Sequence, residues 1–157
     1  MGHRMSGALR LGVRWVTTFF GIGFLPFVPG TWGSIAGVGV FVILPETGLW
    51  RVAVFAGITA VGLILCGSSE TVFGRKDPQY VVIDEVAGMM LSLLWLPLYN
   101  IKVFFLAFFL FRLLDTVKPF PARWIQDRHG ALGIMGDDLA AAAYANLVLQ
   151  AVLRFVS

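Results

Sequence analysis

Val103 to Pro121 reads Val-Phe-Phe-Leu-Ala-Phe-Phe-Leu-Phe-Arg-Leu-Leu-Asp-Thr-Val-Lys-Pro-Phe-Pro. Its first half, Val103 to Phe111, has no polar side chain, and then Arg112, Asp115 and Lys118 arrive within seven residues. Arg112 and Asp115 are three apart and share a helix face. Pro119 and Pro121 cannot continue the helix. The polar group therefore marks the point where an apolar helix leaves its greasy surroundings and stops. An aspartate at a helix C-terminus faces the negative end of the macrodipole and needs a compensating cation. Arg112 and Lys118 can supply it, and a bound metal ion or a phosphate would also account for the group.

The rest of the chain has the same character. Apolar residues make up 58% of the 157 and charged residues 13%, against roughly 45–50% and about 25% in soluble domains. Mean hydropathy is +0.83, and 14 Phe and 5 Trp suit lipid-facing and interfacial positions. These values predict an all-α, multi-helical integral membrane bundle, one domain over residues 1–157. A lone cysteine, Cys66, excludes a disulfide framework and a zinc cysteine cluster. It reads as a small buried residue.

Working outward, Arg4, Arg10 and Arg14 on an apolar background predict an amphipathic segment over residues 1–20, lying on the membrane surface. Pro29-Gly30-Thr31-Trp32-Gly33-Ser34 reads as a turn, followed by a short helix from Ser34 to Leu44 that either spans or re-enters. Further helices are expected over Trp50–Ser69, from Asp84 to about Leu96 with Pro97 as its stop, over Val103–Val117, and from Asp137 to about Phe155, which makes about five main helices. Each end of this sketch that carries polarity is a site candidate. Thr31 and Ser34 open the first main helix, Glu70 closes the second, and Asp84-Glu85 open the third. Arg112, Asp115 and Lys118 close the fourth, and Asp137-Asp138 open the fifth. If successive helices run antiparallel, all these clusters meet on one membrane face. Most Lys and Arg residues fall on that face, and the positive-inside rule makes it cytoplasmic.

Asp84, Glu85, Asp115, Asp137 and Asp138 are five of only nine acidic residues. Crowding them is costly unless some protonate or a cation binds. Carboxylate oxygens are hard ligands that suit Mg²⁺, Mn²⁺ or Ca²⁺. Capping of helix N-termini is the alternative for Asp84 and Asp137. Gly30-Thr31-Trp32-Gly33-Ser34 offers hydroxyls and free N–H groups to a phosphate, or simply a turn and cap. Arg112 and Lys118 can pair with phosphate or with Asp115. With no material for a Ser or Cys triad, metal-activated water is the preferred nucleophile.

Together these motifs resemble the bacterial phosphatidylglycerophosphatase A family. The resemblance runs through Pro29 to Ser34, through Asp84-Glu85 with Gly88 and Met89, and through Phe111, Arg112, Asp115, Lys118, Pro119, Pro121, Arg123 and Trp124. Gly133, Ile134, Met135, Asp137 and Asp138 complete it. Ala142 stands where the family usually has Gly, which touches packing rather than chemistry. The resemblance implies a Mg²⁺-dependent, multi-pass lipid phosphatase of the bacterial inner membrane with its site facing the cytoplasm. It would convert phosphatidylglycerophosphate to phosphatidylglycerol. The expected partners are that lipid and the bilayer, not nucleic acid, with the oligomeric state left open. On this expectation Asp84, Asp115 and Asp138 hold the metal, with Glu85 and Asp137 as further ligands or supports. Arg112, Lys118, Thr31 and Ser34 would bind the phosphate. A small carboxylate-lined ion transporter subunit is the alternative; it predicts acidic residues near the bilayer midplane.

Overall fold

The computed structural model describes residues 5–96 and 100–156. Arg4 and Pro97, singled out above, lie outside them. Seven α-helices and no strand are present among the described residues: α1 Gly7–Thr17, α2 Pro29–Ile43, α3 Gly48–Phe73, α4 Ile83–Leu93, α5 Ile101–Val117, α6 Ala122–Gln126 and α7 Ala131–Val156.

The centre of the molecule is α4. Nearly all of its 11 residues are buried, and α2, α3, α5 and α7 pack around it. At 1.5 Å per residue it is only about 17 Å long, too short to cross a hydrocarbon core of roughly 30 Å. Its lower half joins the main apolar core through Met89, Met90 and Leu93, together with Phe41, Phe111 and Leu149. A second cluster, with Cys66, Val81, Ile83 and Met135, lies toward α1 and α3. Cys66 is fully buried there.

Among the described residues, two helices are long and apolar enough to cross a membrane, Gly48–Phe73 and Ala131–Phe155. They differ in use. Of the most apolar 18-residue window, 11% is buried in the first and 56% in the second. So α3 is a peripheral helix and α7 an inner one.

Two helix starts differ from the sequence expectation, for one physical reason. The glycine-rich stretch expected as a turn before Ser34 is the first turn of α2, with Pro29 at its opening. Proline is preorganised for that position. Glycine weakens an isolated helix, but here the missing side chains permit contact. A Cβ on Gly33 would stand 2.9 Å from Val82 Cβ, and one on Gly37 2.8 Å from the Val86 carbonyl oxygen. Likewise α7 begins at Ala131, not Asp137. Gly136 lets α7 close on α6, where a Cβ would meet Ile125 Cγ2 at 2.6 Å. Tertiary packing outweighs propensity in both cases. Between α5 and α7 the chain also forms a short helix, α6, over Ala122–Gln126.

The inner end of α4 is closed by a side chain from another helix. Asn146 of α7 is buried, and its Nδ2 donates to the carbonyls of Leu91 (3.2 Å), Ser92 (3.1 Å) and Leu94 (2.7 Å). Gln150 Nε2 donates to Asn146 Oδ1 at 2.6 Å and fixes the amide's orientation. The last carbonyls of a helix have no partner within it, and buried ones left bare are costly. Asn146→Leu is therefore expected to lower unfolding stability by about 2–4 kcal/mol, read from denaturant titration in detergent. An unchanged midpoint would mean that water reaches these carbonyls.

Candidate active site

The first turn of α4 carries Asp84 and Glu85. The last two turns of α5 and its C-cap carry Arg112, Asp115 and Lys118. Asp137 and Asp138 sit in the second turn of α7. These three helix segments converge on one cavity of about 410 Å³, lined also by Val28, Pro29 and Gly30 at the start of α2 and by Asp77 and Gln79 from the α3–α4 loop. All five carboxylates and both cations expected from the sequence line it.

The cavity sorts the carboxylates into two kinds. Asp115 and Asp137 are paired. Arg112 Nη1 donates to Asp115 Oδ2 at 2.8 Å, and Lys118 Nζ lies 3.6 Å from Asp115 Oδ1. Lys118 also donates to Asp137 Oδ2. The backbone of Lys118 is left-handed, with φ +50°. That conformation ends α5 and is followed by Pro119. Burial disfavours the Lys118 ammonium, but its hydrogen bond and attraction to Asp137 outweigh this and raise its pKa above the ordinary lysine value.

Asp84, Glu85 and Asp138 form no ion pair among the described residues. One ligand oxygen from each lies within 4.8 Å of the other two. Glu85 Oε2 and Asp138 Oδ2 are buried without any hydrogen-bond partner, as is Asp137 Oδ1. Burial, and then the charge of Glu85, holds the Asp84 carboxyl well above the usual carboxylate range. Burial also raises Glu85, while a hydrogen bond with Asp84 and the charge of Arg112 pull it partly back. Buried acceptor oxygens that face one another without a donor are unfavourable alone and favourable around a cation. The trio could hold a metal ion, and its all-oxygen character suits a hard one.

Thr31 and Ser34 are placed differently. Ser34 is fully buried, and its Oγ donates to the Gly30 carbonyl at 2.9 Å within its own helix. Neither residue lines the cavity. What α2 brings to it is backbone: a Cβ on Gly30 would collide with Glu85 Oε1 and stand 3.0 Å from Arg112 Nη1. Glu70 lies in the last turn of α3, away from the cavity lining.

Sequence reasoning missed Asp77 and Gln79. The available signal was their place in the polar loop just before Asp84. Lys76 ties that loop to the α6–α7 connection by donating to the Asp127 carbonyl at 3.2 Å. Two polar loops therefore meet beside the cavity.

No solved structure matches the chain, but named proteins and a family do. A Bacteroides thetaiotaomicron protein called "Putative phosphatidylinositol-3-phosphatase" is 37% identical over 90% of this chain and 92% of its own. Phosphatidylglycerophosphatase A of Haemophilus influenzae is 38% identical over 85% of this chain and 83% of its own. That of Escherichia coli is 35% identical over 83% of this chain and 77% of its own. The family model Phosphatidylglycerophosphatase A matches residues 15–153, a span that contains every residue of the cavity described above. The chain belongs to the phosphatidylglycerophosphatase A family.

Proposed function

We propose that this protein is a Mg²⁺-dependent phosphatase that hydrolyses the terminal phosphomonoester of phosphatidylglycerophosphate, giving phosphatidylglycerol and phosphate. The observation that carries the reading is the meeting, in one cavity, of three carboxylates that form no ion pair among the described residues, two of them buried, with two basic side chains. The names of two relatives supply the lipid. A carboxylate-lined ion pathway would spread acidic residues through the depth of the bundle, whereas here all five share one cavity.

Asp84, Glu85 and Asp138 would hold the ion, and the unpartnered Glu85 Oε2 and Asp138 Oδ2 fit that role. When bound, a divalent cation supplies Lewis acidity to a phosphoryl oxygen and acidifies water. Arg112 and Lys118 neutralise the remaining phosphoryl oxygens, Arg112 through its planar fork. Asp115 holds Arg112 in place. Asp137 keeps one oxygen on Lys118 and has Oδ1 unpartnered, so Oδ1 accepts the proton of the attacking water. As the new P–O bond forms and the ester P–O bond breaks, that proton becomes available to the departing glycerol oxygen.

The bundle is read as a multi-pass protein of the inner membrane, with the cavity at the cytoplasmic surface. Leu63, Ile64, Phe105 and Phe109 are exposed on α3 and α5, an apolar exterior that suits lipid. Arg75, Lys76, Lys118 and Arg128 belong to the connections on the cavity side, and Arg123 to the short α6 between them; the positive-inside rule assigns that side to the cytoplasm.

The test is phosphate release from phosphatidylglycerophosphate by purified protein. Chelator is expected to lower the rate at least about a hundredfold, and added Mg²⁺ to restore it and raise the unfolding temperature. Undiminished turnover in chelator would remove the metal from the mechanism. Phosphatidylinositol 3-phosphate, suggested by the name of the third relative, belongs in the same assay; faster release from it would reassign the headgroup.

A further inference from the structure

Outside the active site, an apolar hollow lies between α2 and α5. It is a groove of about 460 Å³, walled by Ile35, Val38 and Val42 on one side and by Ile101, Phe104, Phe105 and Phe108 on the other. We propose that it seats one acyl chain of the lipid whose phosphate enters the cavity. The inference rests on the lipid-phosphatase reading and adds how that enzyme holds its substrate.

Three observations carry it. First, both walls run into the active site. On α5, Phe104, Phe108 and Arg112 recur at four-residue intervals and form one stripe. The first two line the groove and the third lines the cavity. On α2, Val42, Val38, Ile35 and Thr31 form the matching stripe. Each stripe turns from apolar to polar at the same level, with Thr31 on one helix and Arg112 on the other. Second, the helices meet at that level, where the Arg112 guanidinium lies over Gly30, and leave the groove between them beyond it. Third, the length fits. Thr31 to Val42 and Arg112 to Ile101 each cover eleven steps of 1.5 Å, about 16 Å, which is close to half of a hydrocarbon core of roughly 30 Å. The groove itself covers seven of those steps on each helix, about 10 Å, and with its neck up to Thr31 and the Arg112 cation it is about one leaflet deep. That is the profile of a single phospholipid chain with its phosphate at the top, and it gives Thr31 a place at the neck, where the ester and glycerol oxygens would pass.

Val38→Trp fills the groove from a wall that no catalytic group touches. With long-chain phosphatidylglycerophosphate in mixed micelles, KM is expected to rise about tenfold. Turnover of the deacylated, water-soluble headgroup should stay within about twofold of the wild type. Ile64→Trp, at a more exposed position on α3 away from the groove, should change neither. Equal loss on both substrates, or equal loss from Ile64→Trp, overturns the groove. Wild-type protein inactive on both substrates would instead refute the function, and the groove is then read separately by photolabelling. A phosphatidylglycerophosphate with a diazirine in its acyl chain should label α2 and α5 peptides more than phosphatidylcholine bearing the same chain. Equal labelling would mean bulk lipid alone occupies the groove.

Discussion

Asn in place of Asp138 is expected to cut phosphate release at least about a thousandfold while leaving the ion-free protein as stable as the parent, or more so. The side chain is buried, and its Oδ2 has no donor. It lies within ligand distance of Asp84 and Glu85. Removing one negative charge from three relieves repulsion in the absence of an ion, so folding does not suffer. The same change removes a hard anionic ligand, and the loss of several kcal/mol of transition-state stabilisation corresponds to about three powers of ten. Stability and activity should therefore move in opposite directions. The rise in unfolding temperature on adding Mg²⁺ should shrink in parallel. A variant that keeps both its turnover and its Mg²⁺-dependent stabilisation would show that the ion, if any, binds elsewhere.

Arg112→Ala is the second large effect, with kcat/KM expected to fall by about a hundredfold to a thousandfold. The guanidinium spans the space between Gly30 on α2 and Asp115 on its own helix. Its loss strips the cavity of the cation best shaped for a phosphate and leaves the longer Lys118 contact, at 3.6 Å, as the ion pair of Asp115 among the described residues. Arg112→Lys should recover only part of the loss, because an ammonium restores charge but not the planar pair of donors. Full recovery by Lys would reduce the role of Arg112 to charge alone. Retention of activity by Ala would shift phosphate binding to Lys118 and the backbone at the start of α2.

Much of this site was legible from local pattern. Val103–Phe111 followed by Arg112, Asp115 and Lys118 announced an apolar helix that ends in polarity, and α5 does end at Val117 with Lys118 as its cap. Asp84-Glu85 after Val81-Val82-Ile83 announced a helix start, and both fall in the first turn of α4. Thr31 and Ser34 were harder. Their hydroxyls looked available because a glycine-rich stretch reads as a turn. The chain instead coils there because Gly33 and Gly37 lie directly against α4, and Ser34 spends its proton on the carbonyl of Gly30. The start of α7 was misplaced on the same grounds. Gly133 and Gly136 signal a break when read alone and close packing when α6 is present.

The sequence by itself determined that this chain forms apolar helices and that its few charges collect at their ends, since polarity, periodicity and proline stops act over a turn or two. It determined which side chains could take part in the chemistry. Only the tertiary structure decided how they divide the work. Asp115 and Asp137 are ion-paired with Arg112 and Lys118, whereas Asp84, Glu85 and Asp138 face one another with no ion pair among the described residues. That division depends on distances between α4, α5 and α7, which glycine contacts and the Asn146 clasp help to set, and no spacing along the chain encodes a distance across it.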